Sequence, residues 1–436
     1  MRGLFILICV SVALGAGVAC ASAEDDPLSP SAQSDTPSTD GGAQPLPKDA
    51  RSEDAERPAP ACSAAGWCAT ALPDGNLTLR DMWPLADHAF AIAESPTLGV
   101  KVLEWSADDS TWQYIDDDTQ NEDGFGPQLG RIWAPNENEV YYGISPGFIY
   151  YGKRANPSAT WSWERARLPD NSHHPAPGED FVWAPIQTYP TLGVWGTGPD
   201  DVYAWHANTI FRRTHVEGQF VWVADHVADD TESPAPGYFD NVLIFGMGGS
   251  GKDDVWFVGA RDFITWFSCS VVGRKTADGY RRVVDSVVSI FDPQVCLPRD
   301  GVLGLGRGWL TDVQSVGPGS VVGLWDRMTL VQIEAGDGGY TADLTPLAPP
   351  SVPNRNADPR FNSLWFQQDE AWLSGWGFVV HGGLGVPDGA ERADFAISSV
   401  SLTGAPLDHP IYRVRGTSKD NIWAVGARYA LHKTTP

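Results

Sequence analysis

The chain has 436 residues, of which 42% are apolar and 19% charged, and its formal net charge is −25. This length and apolar content exclude a wholly disordered protein, and the many Gly (46), Pro (34) and Trp (19) residues favour strands over helices. The acidic balance argues against nucleic acid as a partner, because phosphate binding requires clustered Lys and Arg.

The first sixty residues predict export. Residues 1–23 have one early positive charge and then an apolar run ending in small residues, which is typical of a secretory signal. Residues 17–20 (Gly-Val-Ala-Cys) resemble a bacterial lipobox, which implies that Cys20 is lipidated. Residues 21–23 (Ala-Ser-Ala) offer an ordinary signal-peptidase site instead. Residues 24–60, rich in Pro, Ser and Asp, predict a flexible linker, and such a tether favours the lipoprotein.

We therefore expect a protein at the outer membrane or cell surface, with secretion as the alternative. Membrane contact would be made only through the N-terminal lipid. Four cysteines remain outside the signal region, and their even number and spacing predict two disulfides, Cys62 with Cys68 and Cys269 with Cys296.

A repeat of about fifty residues fills the rest of the chain. Its clearest copies contain a polar stretch followed by a strand of the type Val-Trp-Ala-Val-Gly, as at residues 194–205, 245–259 and 415–426. Each copy predicts four short strands, here A to D, which match a propeller blade. Anchors of the seven copies fall at residues 83, 133, 195, 245, 313, 365 and 414.

These copies resemble the Trp-Gly-x-x-x-x-Asp-Val-Trp-Ala-Val-Gly repeats of bacterial exported β-propellers, many of them predicted lipoproteins, and are distantly similar to BNR and kelch propellers. The resemblance covers residues 67–436. Residues 106–112 approach a BNR Asp-box but are one residue short and lack its Gly, so a sialidase is not implied.

We expect an all-β fold in residues 61–436, a seven-bladed β-propeller of four-stranded antiparallel blades. The seventh copy ends before its fourth strand, while residues 67–74 match the D strand of the second blade in Trp, Ala, Leu, Pro and Asp. Residues 67–72 are therefore predicted to complete the last blade and close the ring.

Several local patterns suggest chemistry but favour structural roles. Residues 246–252 satisfy a glycine-rich phosphate loop, yet they lead into a strand instead of a helix. The acidic pairs at residues 200–201 and 253–254 recur at one repeat position, which favours turn hydrogen bonds. Residues 116–118 (Asp-Asp-Asp) and 173–174 (His-His) lack the spacing of a known metal loop and predict solvated loops. No cofactor or metal is predicted.

The longest insertions, residues 170–190, 225–241 and 345–361, fall between a D strand and the next A strand. In a propeller these connections share a face with the B–C turns, and loops on one face of a rigid ring often form binding sites. The aromatic and imidazole candidates for this face are Trp183, Tyr189, Trp205, His206, Tyr238 and Trp376.

No catalytic motif was found in the sequence, so a non-enzymatic binding or scaffold propeller at the cell envelope is the leading hypothesis. Its partner would be a protein or a glycan, and we expect a monomer. The alternative is a glycan-active hydrolase or lyase whose carboxylates converge from different blades at the central channel.

Overall fold

The computed structural model describes residues 62–122, 129–172, 192–228, 231–232, 239–263, 267–289, 291–292, 294–351, 358–384 and 395–434. The predicted signal region with Cys20, the predicted linker, the pair at residues 173–174, and the candidates Trp183, Tyr189 and Tyr238 lie outside these residues.

The pattern of apolar and polar residues in each strand matches the burial of its two faces. A strand in the middle of a blade packs between two neighbouring blades, so both of its faces are buried. Asn421–Gly426 is such a strand, all six of its residues are buried, and its sequence is an almost continuous apolar run. An outer strand such as Ser162–Arg167 alternates exposed polar residues with half-buried Trp163 and Ala166.

Seven antiparallel sheets follow one another along the described residues. The first three blades are β2 (Thr78–Pro84), β3 (His88–Ser95), β4 (Gly99–Ser106) and β5 (Trp112–Tyr114); β6 (Leu129–Asn136), β7 (Glu139–Ile144), β8 (Phe148–Lys153) and β9 (Ser162–Arg167); and β10 (Leu192–Gly198), β11 (Asp201–His206), β12 (Thr209–Val216) and β13 (Gln219–Val227). A short 3-10 helix, Thr119–Asn121, follows β5.

The fourth blade contains β14 (Thr231–Glu232), β15 (Phe239–Gly251), β16 (Asp254–Phe263), β17 (Phe267–Thr276), β18 (Gly279–Val288) and β19 (Cys296–Pro298). The fifth and sixth blades are β20 (Leu310–Gly317), β21 (Ser320–Trp325), β22 (Thr329–Gly336) and β23 (Gly339–Pro346); and β24 (Ser363–Gln367), β25 (Glu370–Ser374), β26 (Val379–Gly383) and β27 (Ala396–Ser398). The seventh is β28 (Ile411–Ser418), β29 (Asn421–Gly426) and β30 (Ala430–Lys433), joined by β1 (Trp67–Ala69).

The blades close into a ring. Their first strands contact one another in the cyclic order β2, β6, β10, β15, β20, β24, β28 and back to β2. These seven inner strands surround the axis, and apolar side chains from neighbouring blades form the core clusters between the sheets. The predicted seven-bladed propeller is confirmed.

The N-terminal strand completes the last blade, as predicted. Trp67 of β1 lies opposite Lys433 of β30, and its indole N–H donates to Ser398 Oγ in blade 6 at 2.8 Å. The strand is shorter than the predicted residues 67–72, because Ala71 leaves β30 and bridges to Thr111 of blade 1.

Blade 4 differs from the four-stranded prediction. Its sheet has six strands because β14 pairs with β15 and β19 pairs with β18. The predicted insertion at residues 225–241 is also wrong at both ends, since residues 225–227 belong to β13 and residues 239–241 to β15. β15 contains two bulges, which lengthen the inner strand and extend the sheet beyond the core of the ring.

Both predicted disulfides, Cys62–Cys68 and Cys269–Cys296, are confirmed. The second bond joins β17 to β19 and so pins the extra strand of blade 4. Disulfides persist in oxidising compartments, which indicates an exported protein. Within the described ranges we find no helix that is long and apolar enough to cross a membrane.

The ring has two faces that differ in their connections. We call the face with the D–A connections and B–C turns the loop face, and the face with the A–B and C–D turns the turn face. The predicted insertions at residues 170–190 and 345–361 fall in D–A connections, between β9 and β10 and between β23 and β24, although residues 345–346 belong to β23. Residues 173–190 and 352–357 of these insertions lie outside the described residues. A further loop-face segment, residues 289–309, contains β19 and was not predicted as an insertion.

Candidate functional site

One position of the inner strand recurs in all seven blades. In each blade, the third residue of the second strand pairs with a residue of the inner strand, and the recurring position lies two residues before that partner. In blade 3, Tyr203 of β11 pairs with Trp195 of β10, so the position is Gly193. The same register selects Asp81, Arg131, Gly193, Gly246, Asp312, Ser363 and Arg413. The repeat therefore brings charged, hydroxyl-bearing and glycine residues to one level of the ring.

The four charged residues of this set bind one another across the axis. Arg413 places its Nε 2.8 Å from Oδ1 of Asp81, and its Nη1 donates to Oδ2 of Asp312 at 2.5 Å. Arg131 lies 3.8 Å from Asp81 and donates to the carbonyl of Thr311, three blades away, at 3.1 Å. No side chain of the four is more than 12% exposed. We call these four residues the axial cluster.

The axial position also joins neighbouring blades. In three interfaces, its side chain accepts a hydrogen bond from the backbone N–H one position further along in the next inner strand. The acceptor and donor pairs are Asp81 with Ile132 (3.0 Å), Asp312 with Leu364 (3.3 Å) and Ser363 with Val414 (2.8 Å). These bonds satisfy buried backbone N–H groups of the inner strands and connect neighbouring blades.

Glycine at the axial position of blade 3 makes room for its neighbours. A Cβ on Gly193 would lie 2.7 Å from Cβ of Arg131 and 2.4 Å from the Trp205 ring. Arg131 can therefore extend toward Thr311 only because Gly193 has no side chain.

The axial carboxylates do converge from different blades, as the hydrolase hypothesis requires. However, Arg413 forms an ion pair with Asp81 and donates a hydrogen bond to Asp312, so each carboxylate is already paired with a cation. Burial raises the pKa of Asp312, opposed by the positive charges of Arg131 and Arg415. A general acid and base must face a substrate, and this arrangement instead locks the inner strands together.

The recurring turn carboxylates also have structural partners. Asp254 accepts hydrogen bonds from Ser250 (2.6 Å), Arg274 (2.8 Å) and the backbone N–H of Gly319 in blade 5 (3.0 Å). Burial acts to raise the pKa of Asp254, but these hydrogen bonds hold it below its ordinary value. The equivalent side chains have similar partners, which are Thr197 and Arg212 for Asp201, and Thr417, Trp423 and His432 for Asn421.

The glycine-rich segment at residues 246–252 does not form a phosphate loop. Its glycines through Gly251 belong to β15, and Gly251 pairs with Asp254 at the turn into β16. A phosphate loop requires a helix N-terminus that faces the anion, and the segment here is an A–B hairpin.

The acidic run at residues 116–118 is less solvated than predicted. The buried ammonium of Lys101 pairs with Asp116 at 3.1 Å and with Asp118. Asp116 also accepts from the amide of Gln120 at 2.7 Å and from the backbone of Val102 at 2.9 Å. The lysine thus occupies the position that a bound cation would need.

A large open groove lies on the turn face between blades 1 and 2. Its volume is about 1060 Å³, and its walls come from the A–B and C–D turns of the two blades. The segment at residues 106–111, which the sequence related to an Asp-box, is the C–D turn of blade 1 and forms one wall. Residues 157–161 form the facing wall.

Carboxylates and aromatic rings line this groove. The lining contains seven carboxylate residues and one arginine: Asp87, Glu104, Asp108, Asp109, Asp116, Asp117 and Glu137, with Arg154. Arg154 donates to both oxygens of Glu104 at 2.8 and 2.6 Å and lies 4.4 Å from the centre of the Trp161 ring. His88 lies between Glu104 (3.5 Å) and Glu137 (3.8 Å).

The structure places three of the six predicted recognition residues. Trp205, His206 and Trp376 all lie at B–C turns, on the loop face. Trp205 is buried in the core beside Gly193, and His206 packs over Gly147, where burial lowers the pKa of its imidazole. Trp376 is half-buried and bridges to Pro410. No described contact brings these three residues together into one site.

Sequence reasoning missed the groove and the axial cluster. Both combine residues from copies of the repeat that are about fifty residues apart, so no local motif marks them. The near Asp-box at residues 106–112 and the acidic run at residues 116–118 were the signals within the groove.

The fold is similar to that of solved propeller-like structures. YCF48 from Cyanidioschyzon merolae has a TM-score of 0.51 and 12% identity, covering 85% of this chain and 99% of that chain. YCF48 bound to D1 peptide has a TM-score of 0.50 and 13% identity, covering 86% and 98%. No protein-family model matches the sequence, and no curated protein does. At these identities the likeness concerns the fold alone.

Proposed function

We propose that this chain is an exported recognition propeller that holds a partner protein in the groove between blades 1 and 2. The groove is the observation that carries the proposal, because its 1060 Å³ would accommodate several residues of an extended chain. Turns from two adjacent blades form its walls, and the closed ring fixes their separation.

The rest of the molecule supports a binding role. The axial carboxylates are neutralised by arginines and give no free acid and base pair for hydrolysis. YCF48, whose fold this chain shares, is described as bound to a peptide. A protein fits the charged groove better than a glycan does, since a neutral sugar offers no counter-charge to its carboxylates.

The proposal includes display at the cell envelope. Lipidation at Cys20 would anchor the chain, and residues 24–60 would act as the tether that holds the propeller away from the membrane. His206 and Trp376 would then belong to a second contact surface on the loop face, opposite the groove.

Site-directed photo-crosslinking in the native host tests the proposal. A photoreactive phenylalanine analogue replaces Gln113, an exposed residue of the groove wall, or Thr341, an exposed residue of blade 5 that serves as the control. We expect a discrete cross-linked protein at position 113 that is lost when Ala159→Trp fills the groove. Identical products at both positions, or none at position 113, would contradict the proposal.

A further inference from the structure

The charge of the groove surface is strongly one-sided. Asp87, Asp108 and Asp117 are exposed, and Glu137 is 45% exposed. The arginine of the lining, Arg154, is only 4% exposed and is taken up by Glu104. Carboxylates in a cleft with low-dielectric walls focus the field and concentrate cations.

The aromatic wall adds unpaired hydrogen-bond donors. The indole Nε1 of Trp161 and the hydroxyl of Tyr114 are buried atoms without a hydrogen-bond partner. The same is true of Nε of Arg154, whose side chain is 96% buried. A buried donor without an acceptor is costly, so these donors of the wall would be stabilised if side-chain movement exposed them to the acceptors of a ligand.

From these two observations we infer that the groove binds an extended peptide segment carrying Lys or Arg side chains. The inference rests on the proposed function and specifies the chemistry of its partner. The cationic side chains of the segment face Asp87, Asp108, Asp117 and Glu137. Its backbone carbonyls accept from Trp161, Tyr114 and Arg154 once these side chains turn toward the groove.

Other ligand classes fit less well. A phosphate or an acidic peptide would be repelled by these carboxylates, because the arginine of the lining is already ion-paired. A lone divalent ion would need several free carboxylates close together, but Asp116 is bound to Lys101 and Glu104 to Arg154. The described residues contain no group of three or more His, Cys, Asp or Glu side chains that could hold a metal.

The aromatic part of the groove wall is rigid. Trp161 stacks with Trp163 at 5.9 Å between ring centres and meets Phe90 edge-on at 5.8 Å, so its plane is fixed. Arg154 already covers this ring at 4.4 Å from its centre, so the preference for Lys or Arg comes from the carboxylates of the groove.

Fluorescence anisotropy with three length-matched peptides tests the inference. The probes are labelled peptides that alternate Gly with Arg, Ser or Glu. We expect the Arg peptide to bind at least tenfold more tightly than the Ser peptide, and the Glu peptide not to bind. Its affinity should fall as salt is raised, because exposed charges are screened.

A charge-matched pair of variants separates the groove from the general negative charge of the chain. Asp108→Asn with Asp117→Asn should weaken binding of the Arg peptide about tenfold, since two partly exposed charge pairs are lost. Asp337→Asn with Asp343→Asn makes the same change in net charge at exposed positions of blade 5 and should leave affinity unchanged. Equal losses in both variants would overturn the inference.

The inference and the proposed function fail in different ways. Cross-linking at position 113 without any preference for the Arg peptide would overturn only the charge inference. Absence of both cross-linking and peptide binding would overturn the proposed function as well.

Discussion

Individual residues at the axial position explain how seven similar sheets are held in one ring. Burying a charge is costly unless it is paired, and each of the four charges of the axial cluster lies within 3.8 Å of an opposite charge. Asp81 and Asp312 depend on the same guanidinium, that of Arg413. The stability of the ring therefore depends on one arginine more than on most surface ion pairs.

Replacing this arginine tests the axial cluster. Arg413→Met keeps an unbranched side chain but leaves two buried carboxylates without their main cation. We expect the free energy of unfolding to fall by about 3–5 kcal/mol, measured by urea denaturation at pH 7. Arg281→Met removes an ion pair of a 59% exposed arginine with Asp278 and should cost about 1 kcal/mol or less. Similar losses in the two variants would contradict a special role for Arg413.

Some residue roles could be predicted from the sequence, and others could not. Both disulfides were predicted from the number and spacing of the cysteines, because the two cysteines of each bond lie close together in the sequence. The axial cluster was missed because the anchors at residues 245, 313 and 414 differ from the register of the structure, which places them at residues 248, 314 and 415. A shift of one residue moves a side chain to the other face of a strand. With the predicted anchors, Asp312 and Arg413 therefore did not align with the other members of the axial cluster.

At the scale of elements, the N-terminal strand determines whether the ring is closed. Without β1, the edge of β30 would expose unpaired backbone groups, and Trp67 would leave its site against Trp372 and Ser398. The sequence predicted this strand because the last copy of the repeat lacks its fourth strand. Its early end at Ala69 could not be predicted, since it depends on the bridge from Ala71 to Thr111 in another blade.

Truncation of the tryptophan in β1 tests ring closure. Trp67 is buried to 1% exposure, so Trp67→Ala should lower the free energy of unfolding by about 3–5 kcal/mol. Phe220→Ala removes a ring that is 57% exposed on β12–β13 and should cost less than about 1 kcal/mol. Chemical denaturation of both variants measures the difference, and a stable Trp67→Ala protein would show that β1 is dispensable.

Blade 4 shows the limit of predicting elements from a repeat. The pattern specified four strands, and the two extra strands, β14 and β19, are short segments within what were expected to be connections. β14 is held by its pairing with β15, and β19 is held by its pairing with β18 and by a disulfide. These partners lie outside the local sequence of each short strand, so the repeat does not predict them.

In the whole molecule, the axial residues that stabilise the closed ring are separate from the turn residues that line the groove. Buried pairs and interblade hydrogen bonds fix the axis, while the turns lie at the surface of the ring. The sequence predicted recognition on the loop face from the lengths of the insertions. The groove that we propose in addition depends on the facing C–D turns of two blades, whose residues are ordinary turn residues when each is considered alone.

Backbone hydrogen–deuterium exchange, with and without the Arg peptide, tests most directly whether the groove is the recognition site. We expect the peptide to slow exchange in the C–D turns at residues 107–111 and 154–161, because it covers both walls of the groove. The B–C turn at residues 375–378 on the loop face should be unaffected. Slowed exchange confined to the loop face, with the groove turns unchanged, would contradict our central claim.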